Sequence, residues 1–217
     1  MNTVSCTVAT DVIFAIDSSD NIESANFTDA VNYVADIAAS TSGGAVRIGV
    51  LTFDETVTDW FPLDGSRSTA DLLVALRRSP SSRPTYGRWT DTAAVLVGLR
   101  TFAFNVTEGG RRRLAVIVTG DPSHNSTAAR REAELTKSAG VGLVVIGVGD
   151  WLDPFELTAI ASWPAAANTF FVAHYSQLFS AVGVSLLSAI CMTNGRFTRY
   201  MAFVSKPFAE DSNHLLV

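Results

Sequence analysis

The chain has 217 residues, 47% hydrophobic and 17% charged, with a formal net charge of −5 and a mean hydropathy of +0.24. That composition fits one folded domain with a large core and excludes a disordered chain. The acidic balance argues against nucleic acid as a partner. The only dense basic runs, Arg111-Arg112-Arg113 and Arg130-Arg131, read as solvated faces beside a strand or on a helix.

No apolar stretch reaches the ~20 residues that a membrane span requires, so membrane insertion is not expected. The opening "MNTVSCTVAT" lacks the basic and apolar regions of a leader, so any secretion signal lies outside this sequence.

In chain order, "DVIFAI" (11–16) reads as a buried strand and 24–39 as a helix, with Phe27, Val31, Val34 and Ile37 at helical spacing. Thr41-Ser42-Gly43-Gly44 stops that helix. "VRIGVLTF" (46–53) and "TVTDWF" (56–61) are strands joined by too short a link for a parallel crossover, so they form a hairpin. A short helix over 69–77 precedes a Pro/Ser/Arg-rich loop, 77–89, whose length marks a surface with a purpose. A helix over 91–103, a strand "RLAVIVT" (113–119), a charged helix 126–138 and a strand "GLVVIGVG" (142–149) follow. Asp153-Pro154 opens another helix, with Pro where a helix tolerates it best. "NTFFVA" (168–173) is the last strand and 176–190 the last helix.

Three of these strands are apolar without alternation, which marks a parallel sheet covered on both faces. The expected fold is an open, doubly wound, Rossmann-like α/β domain: six mostly parallel strands, one antiparallel edge strand, helices on both faces. The domain is expected to span 6–191. Residues 192–217 lose the pattern and read as a poorly ordered or truncated tail.

Cys6 and Cys191 sit at the two edges of the patterned region, where a disulfide would tie the domain's ends; two free thiols are the alternative. Three N-x-S/T triplets, at Asn26, Asn105 and Asn125, are glycosylation candidates and favour an oxidising, secretory compartment.

The first strand ends in Asp17-Ser18-Ser19-Asp20-Asn21. Ligands of open parallel sheets bind beyond the carboxyl ends of strands. Side chains 17, 19 and 21 converge if the loop curls, and their oxygens suit a hard cation such as Mg²⁺. Helix capping is the competing explanation and, on this segment alone, the commoner one. Thr90 and Thr92 open a later helix, and Asp121 follows another central strand.

With these pieces in place, residues 6–191 resemble the von Willebrand factor A domain family, including integrin inserted domains, matrilins and collagen-associated A domains. The likeness lies in Asp17-x-Ser19-x-Asn21 after an apolar strand, "RIGVLTFDE" before a hairpin, the Thr90-x-Thr92 helix start, "VIVT" with an acidic turn, "AGVGLVVIGVGD", and the bracketing cysteines. The resemblance implies a metal-ion-dependent adhesion site made by Asp17, Ser19, Asn21, Thr90 and Asp121. Its cation, Mg²⁺ or Mn²⁺, is shared with a carboxylate of a partner protein. Two departures weaken that site. Asn21 stands where the family usually has Ser, and the family's Thr-Asp-Gly turn reads Thr119-Gly120-Asp121, so Asp121 is expected to aim away from the metal.

Catalysis is not expected. There is no G-x-S-x-G elbow or phosphate loop, the three histidines are scattered, His124 reads as a loop residue in water, and "GVGDWL" reads as a close-packed strand end. The expected function is a secreted, extracellular adhesion or matrix module whose partner is a matrix protein such as collagen, or another copy of itself. The alternative is a structural matrix domain that assembles fibres without a working metal site.

Overall fold

Long apolar strands separated by helices must pair in parallel, because each crossover returns the chain to the same end of the sheet. The computed structural model describes residues 3–63, 68–78, 87–107 and 109–191. Its elements are β1 (Val4–Ser5), β2 (Thr10–Asp17), α1 (Ser24–Ser40), β3 (Thr41–Ser42), β4 (Val46–Phe53), β5 (Val57–Phe61), α2 (Thr69–Arg78) and α3 (Thr92–Gly98). The last of these continues as a π-helical turn, Leu99–Ala103. Then come β6 (Arg112–Thr119), α4 (Ser126–Ser138), β7 (Val141–Val148), α5 (Pro154–Ile160), α6 (Ala165–Asn168), β8 (Thr169–Val172), a 3₁₀ turn (Tyr175–Gln177) and α7 (Leu178–Cys191).

The main sheet has six strands in the order β5-β4-β2-β6-β7-β8, antiparallel only at β4–β5. It is the doubly wound fold expected. Most of the loop at 77–89 and the tail at 192–217 lie outside the described residues. The sequence did not anticipate the small parallel ladder of β1 and β3, in which Thr41 and Ser42 pair with Val4 and Ser5 where only a helix stop was expected.

Every residue of β2 is buried. Val12, Phe14 and Ile16 face the layer of α1 and α7, while Ile13 and Ala15 face the layer of α3, α4 and α5. Two-sided burial is why this strand shows no alternation. Gly147 in β7 is a close approach: a Cβ there would stand 2.6 Å from Leu157 Cδ1. That accounts for the first part of "GVGDWL" as packing. From β2 the chain winds to one side through β4 and to the other through β6, so the strand order reverses beyond the end of β2.

The opposite end of the sheet is fastened. Cys6 and Cys191 form a disulfide across a separation of 185 residues, a closure of about 5 kcal/mol in the chain-entropy account. The arginine run is not the solvated face expected. Arg111 binds Asp11 at 2.7 Å and the Ala45 carbonyl at 2.8 Å. Arg112 reaches the Ala189 and Ile190 carbonyls near the end of α7, and Arg113 the Ala139 carbonyl after α4. Arg112 and Arg113 donate to carbonyls at helix ends, which lack intrahelical partners. Arg130 and Arg131 are exposed on α4, as expected.

Candidate metal centre

Asp17 closes β2, so its carboxylate ends in the crevice at the switch point and is almost fully buried. Oδ1 accepts the Ser19 backbone N–H at 3.0 Å. Oδ2 accepts the Thr119 hydroxyl at 2.8 Å and the Thr90 hydroxyl at 3.0 Å. Thr90 Oγ1 also lies 3.2 Å from Ser19 Oγ. Three chain segments therefore bring a carboxylate and three hydroxyls into one buried cluster. Asp17, Ser19 and Thr90 meet as the sequence suggested.

Capping does not account for the five oxygen-bearing residues. Helix α1 begins at Ser24 with Glu23 at its N-cap and no side-chain cap bond. Ser18 instead fastens its loop to β4, giving both its N–H and its hydroxyl to the Phe53 carbonyl at 2.8 and 3.1 Å. True caps stand elsewhere: Asp91 accepts Ala94 N–H ahead of α3, and Asn125 accepts Ala128 N–H ahead of α4.

Asn21 and Asp121 form a second group on the rim. The Asn21 side chain hydrogen-bonds the Asp121 carboxyl, so Asp121 faces the 17–21 loop. Its Oδ2 is buried without a hydrogen-bond donor. Asp121 joins the cluster around Asp17 through its backbone, its N–H donating to Thr119 Oγ1 at 3.2 Å. Position 120 is where the family carries its acid. A Cβ on Gly120 would stand 2.7 Å from Tyr175 Oη and 2.8 Å from Ile22 Cδ1. That close approach favours glycine at position 120.

Two residues at the site went unassigned in the sequence reading. Thr119 looks like an ordinary strand former, yet Ile16 pairs with Val118, so Thr119 falls beside Asp17. Register, unlike composition, would have found it. Asp54, buried after β4, accepts Thr56 N–H at 2.7 Å and Gly87 N–H at 3.1 Å, while its backbone carbonyl accepts Asp91 N–H at 2.9 Å. Gly87 O accepts Asp20 N–H at 2.9 Å, so Asp54 holds the three rim loops together. His124 donates its N–H to Thr90 O at 2.8 Å and is exposed, its ring stacked on Trp89 with centroids 4.9 Å apart.

Burial pushes the Asp17 carboxyl above the usual carboxylate range, against the pull of its hydrogen bonds from Ser19, Thr119 and Thr90. Burial also raises Asp121; Asn21 opposes that and the charge of Asp20 adds to it. A divalent cation bound there would reverse this penalty at Asp17. The donor set is all oxygen, as a hard cation needs, and Asp121 Oδ2 is buried without a hydrogen-bond donor. Among the described residues no cluster of three or more His, Cys, Asp or Glu offers a metal site of another kind.

A family model described as von Willebrand factor type A domain matches residues 11–182. Matrilin-1 of Mus musculus is 31% identical over 178 residues, covering 78% of this chain and 34% of the relative. Vitrin of Mus musculus is 26% identical over 191 residues, covering 86% and 28%. Among solved structures, proximal thread matrix protein 1 from the mussel byssus matches with a TM-score of 0.75 at 23% identity, over 85% of this chain and 49% of that one. A second structure of it, with a zinc-occupied MIDAS motif, gives 0.74 at 25% identity, over 87% and 47%. The chain spans about a third of the length of these curated relatives.

Proposed function

The chain belongs to the von Willebrand factor type A domain family, and from that membership we propose that it is a non-enzymatic adhesion module of an extracellular matrix protein. It binds another protein through the rim at the carboxyl ends of the strands. Asp17, Ser19 and Thr90 hold a divalent cation, Mg²⁺ or Mn²⁺, with Asn21 and Asp121 beside it. When bound, the cation offers a coordination place to a partner's Asp or Glu. The observation that carries this reading is the buried cluster in which Thr90 meets both Asp17 and Ser19.

Support for an extracellular setting comes from the Cys6–Cys191 bond and the sequons. Asn105 and Asn125 are exposed and Asn26 is half-buried on α1. Among the described residues no helix is long and apolar enough to cross a membrane. The zinc-occupied MIDAS motif of the mussel protein supports a divalent ion in a related site. Collagen is one candidate among matrix ligands.

A second reading, a structural matrix domain without a working metal site, draws on the glycine at position 120. One experiment separates the two. Calorimetric titration with Mg²⁺ and Mn²⁺ is run beside binding to a matrix extract, with and without EDTA, on the unchanged chain and on Asp17→Ala. Adhesion through the cation predicts heat of binding and a loss of partner binding with EDTA or Asp17→Ala. No heat at millimolar metal, with partner binding unaffected by either change, selects the structural domain.

A further inference from the structure

From Pro154 to Cys191 the sequence carries one formally charged side chain, Glu156, and it is buried. The acidic chain therefore has one flank, made by α5, α6 and β8, whose own residues show water no carboxylate, lysine or arginine; Asp150, exposed, and Asp153, half-buried, border it only at the rim. That flank also carries the most exposed aromatic residues of the described chain: Phe155 at 85%, Trp151 at 82%, Trp163 at 61% and Phe171 at 52%.

These four residues run down one edge of the domain. Trp151 lies in the β7–α5 connection and Phe155 in the first turn of α5. Asp153 fixes that turn by accepting the N–H groups of Phe155 and Glu156, and Leu152 packs inward against Gly147. The two aromatic rings are thus held outward by a built turn. Phe171 pairs with Gly147 across the last ladder, so it projects on the face that α5 covers. Trp163 follows Ser162, whose N–H donates to the Leu143 carbonyl. Leu143 is four residues before Gly147, about 13 Å lower along β7. The stripe therefore descends from the rim along β8, the edge strand, whose outer side has no ladder partner among the described residues.

Aromatic side chains present ~150–250 Å² each. At the exposures given, the four amount to roughly 550 Å² of apolar surface. That matches the upper end of the largest patch on an ordinary monomer, ~300–600 Å². It is more than half of the ~800 Å² that each partner contributes to a stable complex.

We propose that this flank joins two copies of the chain in a two-fold dimer, with β8 beside β8 and the aromatic stripes packed on each other. Charge selects the occupant. A face without charges excludes a charged partner surface, because burying unpaired charges costs several kcal/mol. A second copy presents the same uncharged face by identity, as an isologous interface demands. For a chain of net charge −5, it is also the approach with least like-charge repulsion. This contact does not use the rim and needs no cation.

The test is sedimentation equilibrium of the full chain from about 1 to 100 µM in EDTA. The expected mass is twice 23.2 kDa, with a dissociation constant of about 10 µM or tighter, the weak end for such interfaces. Phe155→Lys with Phe171→Lys sets like charges against each other across the two-fold and is expected to weaken association at least tenfold. Both side chains are exposed, so folding is kept, and circular dichroism checks it. Val184→Lys, exposed on α7, which covers the opposite face of the sheet from α5, is expected to leave the mass unchanged. Hydrogen exchange at Thr169–Val172 is expected to slow as concentration rises. A monomer at 100 µM, a dimer that survives the double lysine variant, a dimer that forms only with divalent metal, or exchange in β8 independent of concentration would each overturn the proposal.

Discussion

Asp17→Asn tests the electrostatics of the rim. The native carboxylate is almost wholly buried and held by three hydrogen bonds, from Ser19 N–H, Thr90 and Thr119. Burial still outweighs them, and the group's acidity is pushed up. An acid raised in the folded state gives a protein that is most stable below the usual carboxylate range and loses stability as pH rises through the raised value. Asparagine keeps the shape, accepts the Ser19 N–H through its carbonyl and donates its amide to hydroxyl oxygens that rotate to receive it. It carries no charge to desolvate. Without metal at pH 7, the variant is expected to be more stable by about 1–2 kcal/mol, roughly 3–6 °C in Tm for a chain of this size.

Metal inverts the order. A cation at one hundred times its dissociation constant adds about 2.7 kcal/mol to the unchanged chain and nothing to Asp17→Asn. The assay is thermal denaturation by circular dichroism in EDTA and in Mg²⁺ or Mn²⁺, for both proteins. A variant less stable than the unchanged chain by more than about 2 kcal/mol in EDTA would refute the account, since the hydrogen bonds would then outweigh the buried charge. Equal stabilisation of both proteins by metal would refute the assignment of Asp17 as a ligand.

Other perturbations give distinct readouts. Burial alone would raise Asp11, but hydrogen bonds from Arg47 and Arg111 outweigh it and hold the carboxyl below its usual range. Its contribution is therefore complete above the ordinary carboxylate range and is lost as pH falls through the depressed value, so acid titration of stability is expected to flatten in Asp11→Asn. Asp11→Ala leaves two arginines unmatched and is expected to cost about 3–5 kcal/mol by urea unfolding. Gly120→Asp returns the acid to the family's place and is expected to tighten Mg²⁺ binding by calorimetry. It loses about 1–3 kcal/mol of stability through crowding against Tyr175 and Ile22. Replacing Cys6 and Cys191 together by Ser is expected to lower stability by about 2–5 kcal/mol, read as a lower urea midpoint.

The sheet was legible because burial on both faces writes unbroken apolar runs, and "VIFAI", "LAVIV" and "LVVIGV" are three of them. Helix starts were legible where a cap precedes a periodic run, as at Asp153-Pro154. The β1–β3 ladder was not, because two residue pairs are too short to carry any period. Arg111-Arg112-Arg113 misled because charge in a sequence says nothing of which carbonyls lie within reach. At the rim, spacing found Asp17, Ser19 and Thr90, while Thr119 and Asp54 depended on register and loop contacts. Asp121 lies beyond the end of β6 at Thr119, so the turn and not the pleat aims its carboxyl toward Asn21.

Asp17 is the one choice here that folding does not explain. Its neighbours in β2 are buried and apolar from Val12 to Ile16, and an apolar residue at 17 would avoid the desolvation that raises its acidity. At the other end of the strand, Asp11 is also buried, but Arg47 and Arg111 match its charge. Among the described residues no cation answers Asp17 in that way: Ser19, Thr90 and Thr119 supply dipoles. A strand that neutralises one terminal carboxylate with two guanidinium groups and leaves the other to hydroxyls keeps the second for a charge from outside. Buried carboxylates that cost stability persist where a ligand restores the balance, and the proposed divalent cation would restore it at Asp17.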